Sequence, residues 1–210
     1  MPRVTELCTF LADRFHFEES KVLGYARILR EAGLLTTGPR GKNAPDATTL
    51  DAARLLLAMM LRAKKDDAAT AVELFGSFKG KAISDGTMPQ GTQRLVGAAC
   101  ENALADILTA AAEASPEQIE NRQLVFSIVR DLAYVSILVT TWPDDEQAEE
   151  PQEFEFRFFH PEFAARDPEQ GPTDALVAAW NQYRSGFYEV PILQSQDLVA
   201  IGQFIEGRSK

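Results

Sequence analysis

The sequence predicts an α+β chain, in which an N-terminal all-α unit is followed by a smaller antiparallel β-sheet domain with flanking helices. Three observations carry this expectation. Apolar residues recur at three-and-four spacing from Arg3 to Phe75, the period of helices with one buried face. Beyond Arg122 the period shortens, and Phe154, Phe156 and Phe158 alternate with Glu153, Glu155 and Arg157, as in a strand with one wet face. The charge divides earlier, near residue 65. Residues 1–65 hold 11 Lys and Arg against 7 Asp and Glu, the remainder holds 10 against 24, and the 210-residue chain carries a net −10.

In chain order, Arg3–Phe15 places Val4, Leu7, Phe10 and Leu11 on one helical face. Ser20 is the expected N-cap of a second helix over Lys21–Ala32, with Gly33 as its C′ residue, where a positive φ costs least. The segment Thr36–Pro45 holds two Gly and two Pro and reads as an exposed hairpin. A third helix starts after Thr48-Thr49, with Asp51 in its first turn, and runs on as LDAARLLLAMMLRAK; a short helix over Ala68–Phe75 closes the unit. Gly76–Pro89 lacks periodicity and is expected to be a linker. A helix over Gln90–Glu113, strands over Gln123–Val129, Ala133–Trp142 and Glu153–Phe159, a helix over Asp174–Arg184, an edge strand over Phe187–Ile192 and a closing helix over Gln196–Glu206 follow. The expected division is therefore 1–75, a linker at 76–89, and an oligomerisation or partner-binding domain at 90–210.

Composition excludes several classes. No apolar run is long enough for a membrane span, and the N-terminus lacks the apolar core of a secretory signal. Cys8 and Cys100 are too few for a disulfide framework or a zinc site, which fits a reducing cytoplasm. With only His16 and His160, and no phosphate loop, GxSxG, HExxH or CxxC, no catalytic activity, metal or cofactor is expected.

A helix, a short turn, a second helix, a Gly/Arg/Lys-rich hairpin and a long helix follow the order of a winged helix-turn-helix. In that arrangement the second helix enters the major groove and the wing grips phosphates. With Val22 in the core, Ser20, Gly24, Arg27 and Glu31 fall on the far side. Arg27 is placed to pair with a guanine edge, and Gly24 permits close approach of the helix backbone. Lys21 and Arg30 flank this face as phosphate contacts, while Arg40 and Lys42, with Asn43 beside them, sit at the wing tip. The competing reading is an adaptor whose helical unit docks on another protein. In that case the arginines are solvated, Arg27 pairing with Glu31 at i,i+4.

The run Tyr25–Leu35, YARILREAGLL, resembles the recognition-helix end of MerR-type winged-helix domains, where a similar stretch leads into the wing. The longer stretch from residue 4 to 75 resembles prophage-associated DNA-binding proteins. Beyond residue 66 the MerR pattern stops, with neither a long dimerisation helix nor a metal-binding cysteine cluster. The overall layout is similar to phage small terminase subunits, which bind packaging DNA as rings. The resemblance implies a double-stranded DNA partner for residues 1–75, a homo-oligomer, and a role as transcriptional regulator or packaging subunit. The acidic body is expected to self-associate or to recruit a protein partner.

Other signals read as structural. The acid run Asp144–Glu150 lacks calcium-loop spacing and is expected to be a solvated loop. His16 is expected to pack between helices, and Trp142 and Trp180 to lie in a core or interface. The Phe154/Phe156/Phe158 stripe resembles a base-stacking platform, but its acidic surroundings would repel RNA. Ile205-Glu206-Gly207-Arg208 matches a commonly engineered protease-cleavage sequence, and Arg208–Lys210 are assigned no function.

Overall fold

The computed structural model describes residues 2–38, 45–129, 134–142, 151–161 and 192–207, with Lys65 described by its backbone alone. The described chain is mixed helix and antiparallel sheet. It runs α1 (Val4–Phe15), α2 (Glu19–Glu31), α3 (Thr49–Leu61), α4 (Ala68–Gly76), β1 (Lys79–Ala82), α5 (Cys100–Glu113), α6 (Pro116–Glu120), β2 (Arg122–Val129), β3 (Tyr134–Thr141), β4 (Gln152–Phe159), β5 (Ile192–Gln194) and α7 (Ser195–Ile205). The expected helix over Asp174–Arg184 and residues 187–191 of the expected edge strand lie outside the described residues.

The first three helices form for local reasons. The helix α2 ends in a Schellman motif: Leu34 N–H donates to Leu29 O at 2.8 Å and Gly33 N–H to Arg30 O at 3.0 Å, with Gly33 at φ +75°. Ser20 does not cap it. The helix begins two residues earlier than expected, with Glu18 at the N-cap, so Ser20 falls in the first turn and its hydroxyl donates to the Glu18 carboxylate. The helix α3 starts at a capping box in which the Asp51 amide donates to Thr48 Oγ1 at 3.1 Å and Asp51 Oδ2 accepts from the Thr48 amide at 2.8 Å. Asp51 Oδ1 accepts a further bond from the Thr36 amide at 2.7 Å, which pins the segment after α2 to the start of α3. Asp51 is only 2% exposed. Replacing it with Ala strands those amide donors and is expected to cost about 1–3 kcal/mol, read from a thermal or urea melt.

Ten of the thirteen residues of α3 are buried, which its apolar sequence requires. It packs against α2 and α4 and also against α5 and α7. Its one cation, Arg54, reaches α5, donating from Nε to Glu101 Oε2 at 2.8 Å and from Nη2 to Glu101 Oε1 at 3.1 Å. Arg54 Nη1 also donates to Leu34 O at 2.6 Å, satisfying a carbonyl past the end of α2. This paired, hydrogen-bonded guanidinium is how a cation sits in an apolar helix.

The sheet order is β1-β4-β3-β2-β5, antiparallel in the pairs β1–β4, β4–β3, β3–β2 and β2–β5. The alternation seen in the sequence fixes its faces. Phe126, Ile128, Val135, Ile137, Val139, Phe154, Phe156 and Phe158 are all buried on the inner side. On the other side Glu155 accepts from Ser136 Oγ at 2.8 Å and from Arg157 Nε at 2.7 Å, and the Arg157 guanidinium lies 4.9 Å from the Tyr134 ring centroid. The Arg157 bond holds the Glu155 carboxyl below its ordinary value, ahead of the opposing effect of burial.

Two expectations fail here. The stretch expected as a linker, 76–89, contains β1, an edge strand paired with β4 through Gly80↔Phe158 and Ala82↔Phe156. Lys-Gly-Lys-Ala has little strand propensity, and tertiary pairing overrides it. The helix expected to start at Gln90 starts at Cys100, because Gly91 and Gly97 take positive φ and leave only a 3₁₀ turn, Gln93–Leu95, between them. The turn packs against the free side of β1, with Gly97 N–H donating to Gly80 O at 2.8 Å and Gly80 N–H to Ala98 O at 3.1 Å.

A single cluster of buried side chains runs from Val4 to Ile205 and includes both the helices and the inner sheet face. The last helix ties it together. α7 packs on α5, and Arg14 of α1 donates to Asp197 Oδ1 at 3.0 Å and to Gln196 O at 3.2 Å. Phe10 stacks on Phe204 with centroids 4.2 Å apart.

Candidate nucleic-acid interface

The helix α2 turns Val22, Ala26 and Leu29 inward against its neighbours. Tyr25 anchors it further, donating from its hydroxyl to Ala63 O at 3.1 Å. With that side fixed, the opposite side faces outward. Ser20, Lys21, Arg27, Arg30 and Glu31 are exposed, and Gly24 is half-buried among them. Leu23, 39% exposed, adds one apolar side chain beside this face.

The electrostatics are more balanced than the charge of residues 1–65 suggests. Lys21, Arg27 and Arg30 share the exposed surface of α2 and its N-cap with Glu18, Glu19 and Glu31, three cations and three acids. Arg27 Nε lies 2.8 Å from Glu31 Oε1, and Lys21 Nζ lies 3.7 Å from Glu18 Oε2. The hydrogen bond to Glu31 raises the Arg27 pKa further, so its charge is permanent. Glu19 is engaged by Thr9 of α1, whose Oγ1 donates to it at 2.6 Å. The arginine and lysine pairs are solvent-exposed and therefore weak, so the cations can exchange their carboxylates for phosphates.

The expected wing is only bracketed. Arg40, Lys42 and Asn43 lie outside the described residues. Of the flanking arms, Gly38 lies against Pro45. The arms do not form a ladder with each other among the described residues; Asp46 instead bridges to Arg3, and Ala47 N–H donates to Pro2 O at 2.8 Å.

Other candidates find structural places. His16 is exposed and ends α1 in the left-handed region at φ 54°, in place of the packed position expected for it. His160 lies edge-on to Phe78 with centroids 6.0 Å apart. The Phe154, Phe156 and Phe158 rings are buried and present no stacking surface. Trp142 is 41% exposed at the end of β3, so of the two places expected for it, core or interface, it does not occupy the core. Trp180, the acid run 144–150 and Arg208–Lys210 lie outside the described residues. Burial pushes the Cys8 thiol up to about 11 and the Cys100 thiol higher still, so neither supplies a thiolate near neutral pH. Among the described residues no three His, Cys, Asp or Glu converge on a metal-sized site, and no helix is long and apolar enough to cross a membrane.

Sequence reasoning missed the Arg54–Glu101 pair, although a lone arginine inside an apolar helix is itself a sign of a buried partner. It also missed the Arg14–Asp197 link, which joins residues with no local sequence relation. No family model matches the chain, and neither a curated protein nor a solved structure matches it.

Proposed function

We propose that the chain is a non-catalytic duplex-DNA-binding protein of phage or prophage type. In this reading α1, α2 and α3, with the segment between Gly38 and Pro45 as wing, act as a winged helix-turn-helix. The protein works in the cytoplasm of a bacterial or phage-infected cell, as a transcriptional regulator or as a DNA-recognition subunit in packaging. The supporting observation is the outward side of α2: Ser20, Lys21, Arg27 and Arg30 exposed at helical spacing around Gly24, on a helix whose other side is locked into the core. Arg27 reads a base edge, Lys21 and Arg30 hold phosphates, and the acidic remainder of the chain limits nonspecific adsorption. Self-association separates the two roles: a dimer in light scattering suits a two-fold operator, and a ring suits packaging.

The test is fluorescence anisotropy of the full chain with random-sequence duplex DNA at about 50 and 200 mM salt. Binding is expected in the micromolar range, weakening steeply with salt. Arg27→Ala with Arg30→Ala should weaken it about 10-fold or more, whereas Glu31→Gln, which frees Arg27 and removes a repelling charge, should strengthen it. Wild-type affinity in both variants, or no binding at the lower salt, overturns the reading.

One observation favours the adaptor. Arg27 and Lys21 are paired within α2, and exposed Leu23 sits beside them, a mixed surface suited to a protein partner. In that case Glu31→Gln leaves DNA binding undetectable.

A further inference from the structure

A cleft of about 630 Å³ opens among the 3₁₀ turn, α5, α6, the ends of β2 and β3, and the start of α7. Its volume is that of a small-molecule site. Leu95, Ile107, Val139 and Leu198 supply an apolar floor. The walls are held by hydrogen bonds between elements. Trp142 N–H donates to Asn121 O at 3.0 Å, joining the end of β3 to the end of α6. The Ser195 hydroxyl accepts from the Leu124 amide at 2.6 Å, joining α7 to β2.

The polar groups of the lining are asymmetric. Arg94 and Arg122 both line the cleft, against Glu117 as its one acid among the described lining residues. Arg122 Nη1 donates to Gln90 O at 3.3 Å and Arg94 Nη2 to Asp106 O at 3.4 Å, both long bonds to neutral carbonyls. Neither guanidinium is paired with a carboxylate among the described residues, unlike Arg14, Arg27, Arg54 and Arg157. A guanidinium has five N–H donors in a planar fork matched to a carboxylate, so most of their capacity is unspent. Trp142, also part of the lining, exposes 41% of its surface, an area an apolar ligand body can cover.

We propose that this cleft binds an amphipathic carboxylate: an apolar body rests on the floor against Trp142, and the carboxylate is held by Arg94 and Arg122. The site does not involve α2 and stands independently of the DNA reading.

The test uses the full chain and decanoate as probe, with decanol as its neutral counterpart and decylamine as the cation. Calorimetry and tryptophan fluorescence are expected to show saturable decanoate binding with about one site per chain, and at least about 10-fold weaker binding of decanol and decylamine. Trp142→Phe should abolish the fluorescence change while calorimetric binding persists. Arg94→Gln with Arg122→Gln should weaken decanoate about 10-fold or more while leaving decanol binding and the thermal melt unchanged. Equal binding of decanol or decylamine, undiminished decanoate binding by the double variant, or no saturable binding below the micellar range overturns the proposal.

Discussion

Replacing Phe156 with alanine is expected to destabilise the protein by about 3–5 kcal/mol. Phe156 is fully buried on β4, an interior strand of the sheet. It is paired with Ile137 on one side and Ala82 on the other, and its ring lies 5.0 Å from that of Phe154. Truncation removes apolar area and leaves a cavity walled by strands that cannot close on it without breaking register. For a chain of this length each kcal/mol lowers the melting temperature by roughly 2–4 °C, so a fall of about 10 °C is the expected size. Glu153→Ala, on the exposed side of the same strand, is the control and should melt like wild type. Equal melting of the two variants would show that β4 does not carry the core.

The second large effect carries an opposite sign under two lines of argument. Gly202 lies inside α7, where helix propensity alone predicts that alanine stabilises by about 1 kcal/mol. The packing says otherwise. A Cβ at Gly202 would stand 2.3 Å from Leu108 O and 3.0 Å from Ala112 N, both backbone atoms of α5. A helix backbone cannot rotate out of the way as a side chain can, so α7 has to move as a unit. That movement pulls Asp197 from Arg14 and Phe204 from Phe10. Gly202→Ala is therefore expected to cost about 3 kcal/mol or more, at or beyond the usual range for overpacking. A melt reads the sign directly, and a rise in melting temperature refutes the crossing of α5 and α7.

Much of the fold could be read from the sequence where periodicity was strong and local. The helices α1, α2, α4 and α7 and the strands β2, β3 and β4 fall within two residues of expectation, α3 stops three residues short of it at Leu61, and Gly33 closes α2 as its position implied. What escaped was set by distant partners. β1 is a strand because β4 and the turn at Gly97 bond to its two sides, not because Lys-Gly-Lys-Ala prefers to be extended. The start of α2 was misplaced by two residues because Glu18 offers no stronger local signal than Ser20 does. The interface on α2 was legible as positions, since Val22, Ala26 and Leu29 fix which side faces out. Its charge balance was less so, because net charge over 65 residues hides Glu18, Glu19 and Glu31 standing beside the three cations. The cleft was not legible at all, since its lining comes from segments between Gln90 and Val199.

The contact between the first helix and the last bears on how the chain is made. Arg14 and Asp197 are 183 positions apart, so at roughly 5–20 residues per second α1 emerges about 10–40 s before its partner exists. During that interval Phe10 and the side of α3 that α5 and α7 later cover have nothing to pack on, and β1 waits as an unpaired edge for β4. The helices made first thus wait, with apolar sides exposed, until α7 has been made. The protein's yield in cells should depend on holding chaperones more than its native packing would suggest.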